Sequence, residues 1–221
     1  MNAADLDQAY RWADQGIAAI FKAKKVVPCC REGCHWCCDE PAYVHKAEAE
    51  HMLAALTPEQ REMVRAQTRT WADQAQASGL LPEPEINALE WRAQGITCPF
   101  IENGRCAAYA QRPYACRSFF AIGDPMQCQS LYREHQTFLD FGAELNARLV
   151  APEMALLAQG TKELVLRQMG VWLAEILLGR QMQDCPKTID SKTVLILCRH
   201  LMKDATARLE QMARVGVAKR Y

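Results

Sequence analysis

Clustered cysteines are the residues of this chain best suited to chemistry. Five of its eleven cysteines fall in the stretch Cys29–Cys38, which reads Cys-Cys-Arg-Glu-Gly-Cys-His-Trp-Cys-Cys. A second group follows further along the chain and comprises Cys98, Cys106, Cys116 and Cys128. Cysteine thiolates are common ligands of zinc and of iron–sulfur clusters. We therefore predict that the two groups fold together into one thiolate-lined metal site.

The spacing of the first group defines the candidate ligands. Cys34 and Cys37 form a Cys-x-x-Cys unit, in which a tight backbone turn lets both sulfurs reach one metal. Because adjacent side chains diverge, Cys37 and Cys38 are expected to face different metals, unless one of them is not a ligand. The candidate thiolates number eight: Cys30, Cys34, Cys37, Cys38, Cys98, Cys106, Cys116 and Cys128. Eight thiolates suffice for two four-cysteine sites, or for one site with spare cysteines.

The pattern leaves the metal open between an iron–sulfur cluster and Zn²⁺, since both accept four thiolates. The Cys98-Pro99 pair is similar to the end of ferredoxin-type runs and favours iron. His35 lies inside the loop and could ligate, but we expect it to point to solvent. Arg112 and Arg117 flank Cys116 and could offset thiolate charge by donating hydrogen bonds to sulfur.

Composition limits the possible partners. Lys and Arg together number 26, as do Asp and Glu, so net charge gives no reason to expect nucleic acid or membrane binding. The N-terminus lacks a signal-peptide pattern, and no apolar run reaches the length of a membrane span. We therefore expect a cytoplasmic protein with reduced thiols, in which the isolated Cys185 and Cys198 are small buried hydrophobes. Protein partners are left unassigned.

The first half of the chain carries clear helix signals. Apolar residues recur at three- and four-residue spacing over residues 3–24 and again over 44–56. Thr57-Pro58-Glu59-Gln60 predicts a capping box that opens a helix running to about Ser78, with Gly79 as its stop. Residues 79–90 are expected to form a connector.

The fold class expected from these patterns is mainly α: a helical scaffold with a cysteine-rich metal-binding loop region and one short β-hairpin. Asn103-Gly104 predicts the type I′ turn of that hairpin. Beyond it, the sequence predicts helices over residues 130–149, 151–159, 161–179 and 191–214. We expect a single domain over 1–221, in which 25–130 is the cysteine-cluster region and 131–221 a helical C-terminal extension.

Two stretches carry a family resemblance. The first is Cys30-Arg-Glu-Gly-Cys-His-Trp-Cys-Cys38, and the second runs from Cys98-Pro-Phe through Cys106, Tyr109 and Arg112-Pro113 to Cys116-Arg117-Ser-Phe119. Together they resemble the CxxCxxCC cysteine-cluster (YkgJ-like) family, described as zinc- or iron-chelating domains. The resemblance implies six metal ligands, Cys34, Cys37, Cys38, Cys98, Cys106 and Cys116, and bears less directly on Cys30 and Cys128. Cys30 departs from the family spacing, because three residues instead of two separate it from Cys34.

Three functions are consistent with the sequence. The first is a cytosolic metal-binding protein whose two cysteine groups chelate an iron–sulfur cluster or zinc, in a redox or iron-related role. The second is an accessory or catalytic domain of a metal-dependent enzyme, since some relatives are embedded in flagellin lysine N-methylases. No glycine-rich nucleotide loop supports that activity here, and no catalytic residue is assigned. The third is a structural zinc module for protein interaction.

Overall fold

The computed structural model describes residues 3–83, 85–129, 137–138 and 162–192. Within these ranges the chain is mainly α-helical and contains the predicted short antiparallel hairpin, together with strands that were not predicted. The helices are α1 (Ala3–Lys24), α2 (Lys46–Ala54), α3 (Pro58–Ser78), α4 (Ala88–Ala93), α5 (Tyr114–Arg117) and α6 (Met169–Leu178). The strands are β1 (Tyr43–His45), β2 (Ile101–Glu102), β3 (Arg105–Cys106), β4 (Ala121–Ile122), β5 (Thr137–Phe138), β6 (Glu163–Gln168) and β7 (Lys187–Asp190). Short 3₁₀ turns cover Trp36–Asp39, Tyr109–Gln111 and Pro125–Gln129.

Helix α3 begins and ends where its sequence signals predict. The Gln60 amide donates to the Thr57 hydroxyl, and the Thr57 amide donates to the Gln60 side chain, so the capping box is complete. Gly79 ends the helix in the left-handed conformation, with φ 70°. The predicted helix over residues 3–24 is confirmed as α1. Helix α4, capped by the Asn87 side chain, was missed and shortens the predicted connector.

A three-stranded sheet in the order β1-β6-β7 corrects two helix predictions. Residues 43–45 are a strand, so the helix expected over 44–56 begins only at Lys46. Residues 163–168 are also a strand, and the helix expected over 161–179 begins at Met169. In β6, Leu164 is buried, Glu163 is exposed, and both edges of the strand are paired. These cross-strand partners decide in favour of strand over helix in a short apolar run.

The predicted C-terminal helices can be compared only in part. Thr137–Phe138 form β5, paired with β4, so the helix expected over 130–149 is wrong at these two residues. Residues 191 and 192 are helical, as expected for the start of a helix over 191–214. The remainder of both predictions, and the whole of 151–159, lie outside the described residues. No helix in the described ranges has both the length and the apolar character of a membrane span.

The core joins α6 to the cysteine-bearing half of the chain. Helix α6 packs on α3 at Gly170, whose small size admits the Trp71 ring. The main apolar cluster combines Leu173 of α6 with Phe100 and others, and the half-buried Cys98 packs against that cluster. The second cysteine group is therefore supported by the core.

An ion-pair network fixes the outer side of α6. The Glu175 carboxylate lies 2.6 Å from the Lys46 ammonium and 3.1 Å from the Arg167 guanidinium, and Arg167 also pairs with Asp184. The hydrogen bond from Lys46 and the charges of both cations hold the pKa of Glu175 below its usual value, against a smaller effect of burial. The network therefore ties α6 to α2 and to the sheet.

Candidate metal centre

The first cysteine group is folded by two consecutive tight turns. Gly33 takes a left-handed conformation with φ 87°, and the Cys34 amide donates to the Arg31 carbonyl over 3.0 Å. The 3₁₀ turn Trp36–Asp39 follows, in which the Cys38 amide donates to the His35 carbonyl. These turns bring the cysteines at both ends of the loop to one side, as the Cys-x-x-Cys spacing predicts.

The second group is carried by the predicted hairpin. Asn103 and Gly104 both have positive φ, 49° and 75°, as a type I′ turn requires, and Cys106 pairs with Ile101 across the two strands. A 2.8 Å hydrogen bond from the Cys98 amide to the Cys38 carbonyl joins this hairpin to the first loop. The two groups therefore meet, as the sequence analysis expected.

We predicted that His35 points to solvent, but in the structure it packs inside the protein. Its imidazole stacks on Trp36 and packs against the hairpin turn, so that a Cβ added to Gly104 would lie 3.2 Å from its Cε1 atom. Its Nδ1 atom is buried without a hydrogen-bond partner. The His35 side chain therefore packs between the first cysteine loop and the hairpin turn.

Seven cysteines line one cavity of about 470 Å³. They are Cys30, Cys34, Cys37, Cys38, Cys98, Cys106 and Cys116, all of which are among the eight predicted ligands. The rest of the wall is mostly apolar and includes Tyr43, Met52, Tyr109, Phe119, Phe120 and Met169. Thiols and apolar, largely aromatic side chains thus line the same cavity.

Two cysteines next to the cavity do not line it. Cys128, the eighth predicted ligand, is buried in the 3₁₀ turn Pro125–Gln129, which packs beside the turn that carries Cys37. Cys29 donates its thiol proton to the Ala121 carbonyl over 3.2 Å. The Ala121 amide donates to the Cys30 sulfur over 3.1 Å, so β4 fixes the beginning of the loop.

We predicted that the side chains of Cys37 and Cys38 diverge, but in the structure they do not. Both line the cavity, and their thiols are hydrogen-bonded to each other. The 3₁₀ conformation explains the difference, because successive side chains on a turning backbone are separated by about 120° rather than lying on opposite faces of an extended chain. Both sulfurs can therefore serve one centre.

The thiols surround the cavity rather than converging on a point. Among the described residues, no three side chains of His, Cys, Asp or Glu are arranged to hold a single metal ion. The donor set nevertheless fits zinc or iron, because every candidate is a soft sulfur ligand. The arrangement corresponds to a rim of donors around a space larger than one ion.

Burial and mutual repulsion favour the protonated thiols. Burial raises the pKa of Cys30 to about 12, and the thiols of Cys29, Cys37 and Cys34 add to the rise. Burial and the neighbouring Cys106 likewise raise the pKa of Cys98 to about 12. A cation in the cavity would remove this repulsion, which is why metal ions displace protons from thiol sites.

Cys38, Cys106 and Cys116 follow the same rule. The hydrogen bond with Cys37, followed by burial, raises the pKa of Cys38. Burial also raises the pKa of Cys106 and, more strongly, that of Cys116, which lines the cavity. The ten cysteines of the described ranges form no disulfide with one another.

A family model matches the region that contains these cysteines. The sequence model of the CxxCxxCC family, described as "Putative zinc- or iron-chelating domain", matches residues 29–139, just over half of the chain. The chain belongs to the CxxCxxCC family. The match contains both cysteine groups and the whole thiol rim. No curated protein and no solved structure matches the chain.

The two arginines beside Cys116 divide their roles in this CxxCxxCC protein. Arg112 lines the cavity, where its guanidinium lies 3.9 Å above the Tyr109 ring, and its charge lowers the pKa of Cys106 against the effect of burial. Arg117 is buried and turned away from the cavity. Its guanidinium donates to Asp14 and to the carbonyl oxygens of Ala110 and Arg112. The sulfur hydrogen bond predicted for Arg117 is therefore wrong.

Sequence reasoning missed Glu48, which holds the start of α5, the helix that carries Cys116. This buried carboxylate accepts hydrogen bonds from the His45 amide, the Tyr114 amide and the Tyr10 hydroxyl at 2.8–3.3 Å. It thereby ties the starts of α2 and α5 to α1. The capping-box spacing of His45 and Glu48 was a usable signal for the first of these bonds, but nothing local indicated the other two.

The aromatic wall of the cavity was also missed. Tyr43, Phe119, Phe120 and Met169 come from separate parts of the chain, and their apolar character alone predicts only burial. Arg31, which also lines the cavity, resembles any surface arginine in the sequence. These residues acquire a role only through the cavity they share.

Proposed function

We propose that this CxxCxxCC protein binds a polynuclear iron–sulfur centre through the seven thiols of its cavity. The observation that carries the proposal is the excess of donors and space. A tetrahedral ion with thiolates at about 2.3 Å fills a sphere of only about 50 Å³ and uses four ligands. The cavity measures about 470 Å³ and has seven thiols. A cluster with several metal atoms uses such a rim better than one zinc ion.

The surroundings of the thiols also support a redox-active cluster. Sulfur donors of this kind suit iron–sulfur clusters, whose potentials depend on net charge, hydrogen bonds to sulfur and exposure to solvent. Arg112 places a positive charge beside the thiols, and the apolar residues of the lining limit contact with water. We infer a redox or iron-related role in a reducing, cytoplasmic compartment, which the free thiols of the described cysteines support.

Metal content after anaerobic purification tests the proposal. We expect a coloured protein with broad visible absorption and matched amounts of iron and acid-labile sulfide. The double substitution Cys37→Ser with Cys116→Ser should abolish both, whereas Cys185→Ser should leave them unchanged, because Cys185 does not line the cavity. A colourless protein with one stoichiometric zinc ion would refute the cluster and favour structural zinc. Wild-type metal content in the double variant would refute the site.

Cys128 provides a separate test of the ligand set. Because it is buried outside the cavity, we expect Cys128→Ser to retain iron and sulfide. Loss of the cluster in this variant alone would extend the site to the eighth predicted cysteine and would contradict the cavity as the limit of the centre.

A second candidate function is a metal-dependent enzyme, favoured by the aromatic residues that line the cavity. Pockets for small organic ligands are mostly apolar, with a few polar groups, and measure about 300–1,000 Å³. Tyr43, Phe119 and Arg112 would then contact a substrate beside a metal with an open coordination position. Adding azide or imidazole to the metal-loaded protein tests this function. A changed visible spectrum is expected for an open position, and an unchanged one argues against it.

A further inference from the structure

Gln168, the last residue of β6, is a buried amide with an unused donor. Only 3% of the residue is exposed, and its Nε2 atom has no hydrogen-bond partner in the described structure. Burying a donor without a partner costs about 1–3 kcal/mol, so such groups usually have a functional or solvent partner. The Gln168 side chain also acts on its cross-strand neighbour Tyr43, where a hydrogen-bonding contact lowers the pKa of Tyr43 against the larger rise from burial. That contact lies outside normal hydrogen-bond geometry, and because an amide nitrogen carries two N–H donors, at least one of them is left unused.

Gln168 lines a second, small cavity that adjoins the thiol-lined one. This cavity measures about 20 Å³, and its lining includes Cys38, Cys98, Glu40 and Gln168. Cys38 and Cys98 line the large cavity as well, so they form part of the wall between the two spaces. A volume of about 10–15 Å³ is enough for one buried water molecule. The small cavity therefore gives Gln168 access to the back of the metal site.

The acceptors available to Gln168 in this cavity are few. Trp71, Trp91, Ile96, Pro99 and Met169 make most of its wall apolar. The Glu40 carboxylate is already paired with Arg92 at 3.2 Å. The sulfurs of Cys38 and Cys98 remain, and they become strong acceptors only as metal-bound thiolates.

We propose that Gln168 donates a hydrogen bond, directly or through one water molecule, to the thiolates of Cys38 and Cys98 in the metal-bound protein. The inference rests on the proposed metal-binding function and assigns Gln168 as a positioning residue of that site. Donors to ligating sulfur stabilise its negative charge, and outer hydrogen bonds of this kind typically change metal affinity by about 10–100-fold. They also raise the reduction potential of iron–sulfur clusters, because reduction adds negative charge.

Zinc affinity and apo-protein stability together test the inference. We expect Gln168→Leu to weaken Zn²⁺ binding by about 10–100-fold in a chelator competition. The unfolding free energy of the metal-free variant should be unchanged or higher, because the substitution removes an unpaired buried donor. In protein loaded with an iron–sulfur cluster, the same variant should have a lower midpoint potential.

Thr68→Val is the matched control. Thr68 is fully buried, and its hydroxyl bonds to the Val64 carbonyl within α3, away from both cavities, so Zn²⁺ affinity should not change. Wild-type Zn²⁺ affinity in Gln168→Leu would overturn the inference while leaving metal binding intact. A fall in metal-free stability that accounts for the whole loss of affinity would assign Gln168 a structural role instead. If the wild-type protein bound no metal, the proposed function itself would fail, and the inference with it.

Discussion

Replacing Arg117 with lysine or methionine distinguishes a structural role from a role in balancing thiolate charge. The Arg117 side chain is 2% exposed, and its guanidinium serves three acceptors while lying 4.2 Å above the Tyr10 ring. Two of these acceptors are the carbonyls of Ala110 and Arg112. Lysine cannot reproduce this planar arrangement of donors, so both substitutions should release the loop that leads into Cys116.

The expected magnitude follows from the separate contacts. Each carbonyl loses a hydrogen bond from a charged donor, which contributes about 1.5–3 kcal/mol, and the lower value applies because Ala110 is exposed and Arg112 half-buried. The Asp14 carboxylate is 51% exposed, so loss of its ion pair adds about 1 kcal/mol or less. A total near 3 kcal/mol is reasonable, which corresponds to a fall in Tm of about 6–12 °C for a chain of this size.

Urea denaturation of metal-free and metal-loaded protein provides the assay. We expect Arg117→Lys and Arg117→Met to lower the unfolding free energy in both forms, because the broken bonds do not involve sulfur. The control Asp14→Asn retains both carbonyl bonds and should cost about 1 kcal/mol or less. Destabilisation confined to the metal-loaded protein would show that Arg117 balances thiolate charge and would refute the structural role.

Three further predictions concern packing, the hairpin turn and an ion pair. Gly170→Ala would place a Cβ 2.3 Å from the Trp71 ring. Although alanine has the better helix propensity, we expect the unfolding free energy measured by urea denaturation to fall by about 1–2 kcal/mol. An equal fall in a Trp71→Leu background would contradict the steric explanation. Gly104→Ala and Gly95→Ala should each lower the unfolding free energy by about 1–2 kcal/mol, because both positions have a left-handed backbone. Only Gly104→Ala adds a methyl group against the His35 imidazole, so only this variant should also weaken Zn²⁺ binding. Equal Zn²⁺ affinities of the two variants would exclude a role for that contact. Glu175→Gln should be less stable than wild type at neutral pH. Because the pKa of Glu175 is lowered in the folded protein, its contribution to stability is complete above the unfolded-state pKa of about 4.3 and is lost as pH falls through the folded-state pKa. A stability difference between wild type and Glu175→Gln that stays constant down to pH 3 would contradict this linkage.

Several elements could be predicted because their signals lie within a few residues. Thr57 and Gln60 cap α3 through their own backbone and side chains, and Gly79 ends it with a backbone conformation that glycine adopts readily. Asn103 and Gly104 likewise specify the hairpin turn. Such local preferences do not depend on the rest of the chain, so the predicted boundaries agree with the structure.

Strand β6 shows where local signals fail. Leu164, Val165 and Leu166 form an apolar run that suits a buried helix as well as a buried strand. Pairing with β1, more than a hundred residues earlier, and with β7 determines the strand. Backbone hydrogen bonds to distant partners therefore decided the conformation of this segment.

The sequence by itself determined the chemistry of the candidate site. Cysteine type, clustering and spacing identified all seven thiols of the cavity, and the family match covers the region that contains them. Only the tertiary structure decided which way the side chains point. It turned Cys37 and Cys38 to the same cavity, aimed Arg117 at carbonyls rather than sulfur, and placed Gln168 behind the thiol wall. Donor chemistry is a property of single residues, whereas direction and burial depend on packing between segments that are far apart in the chain.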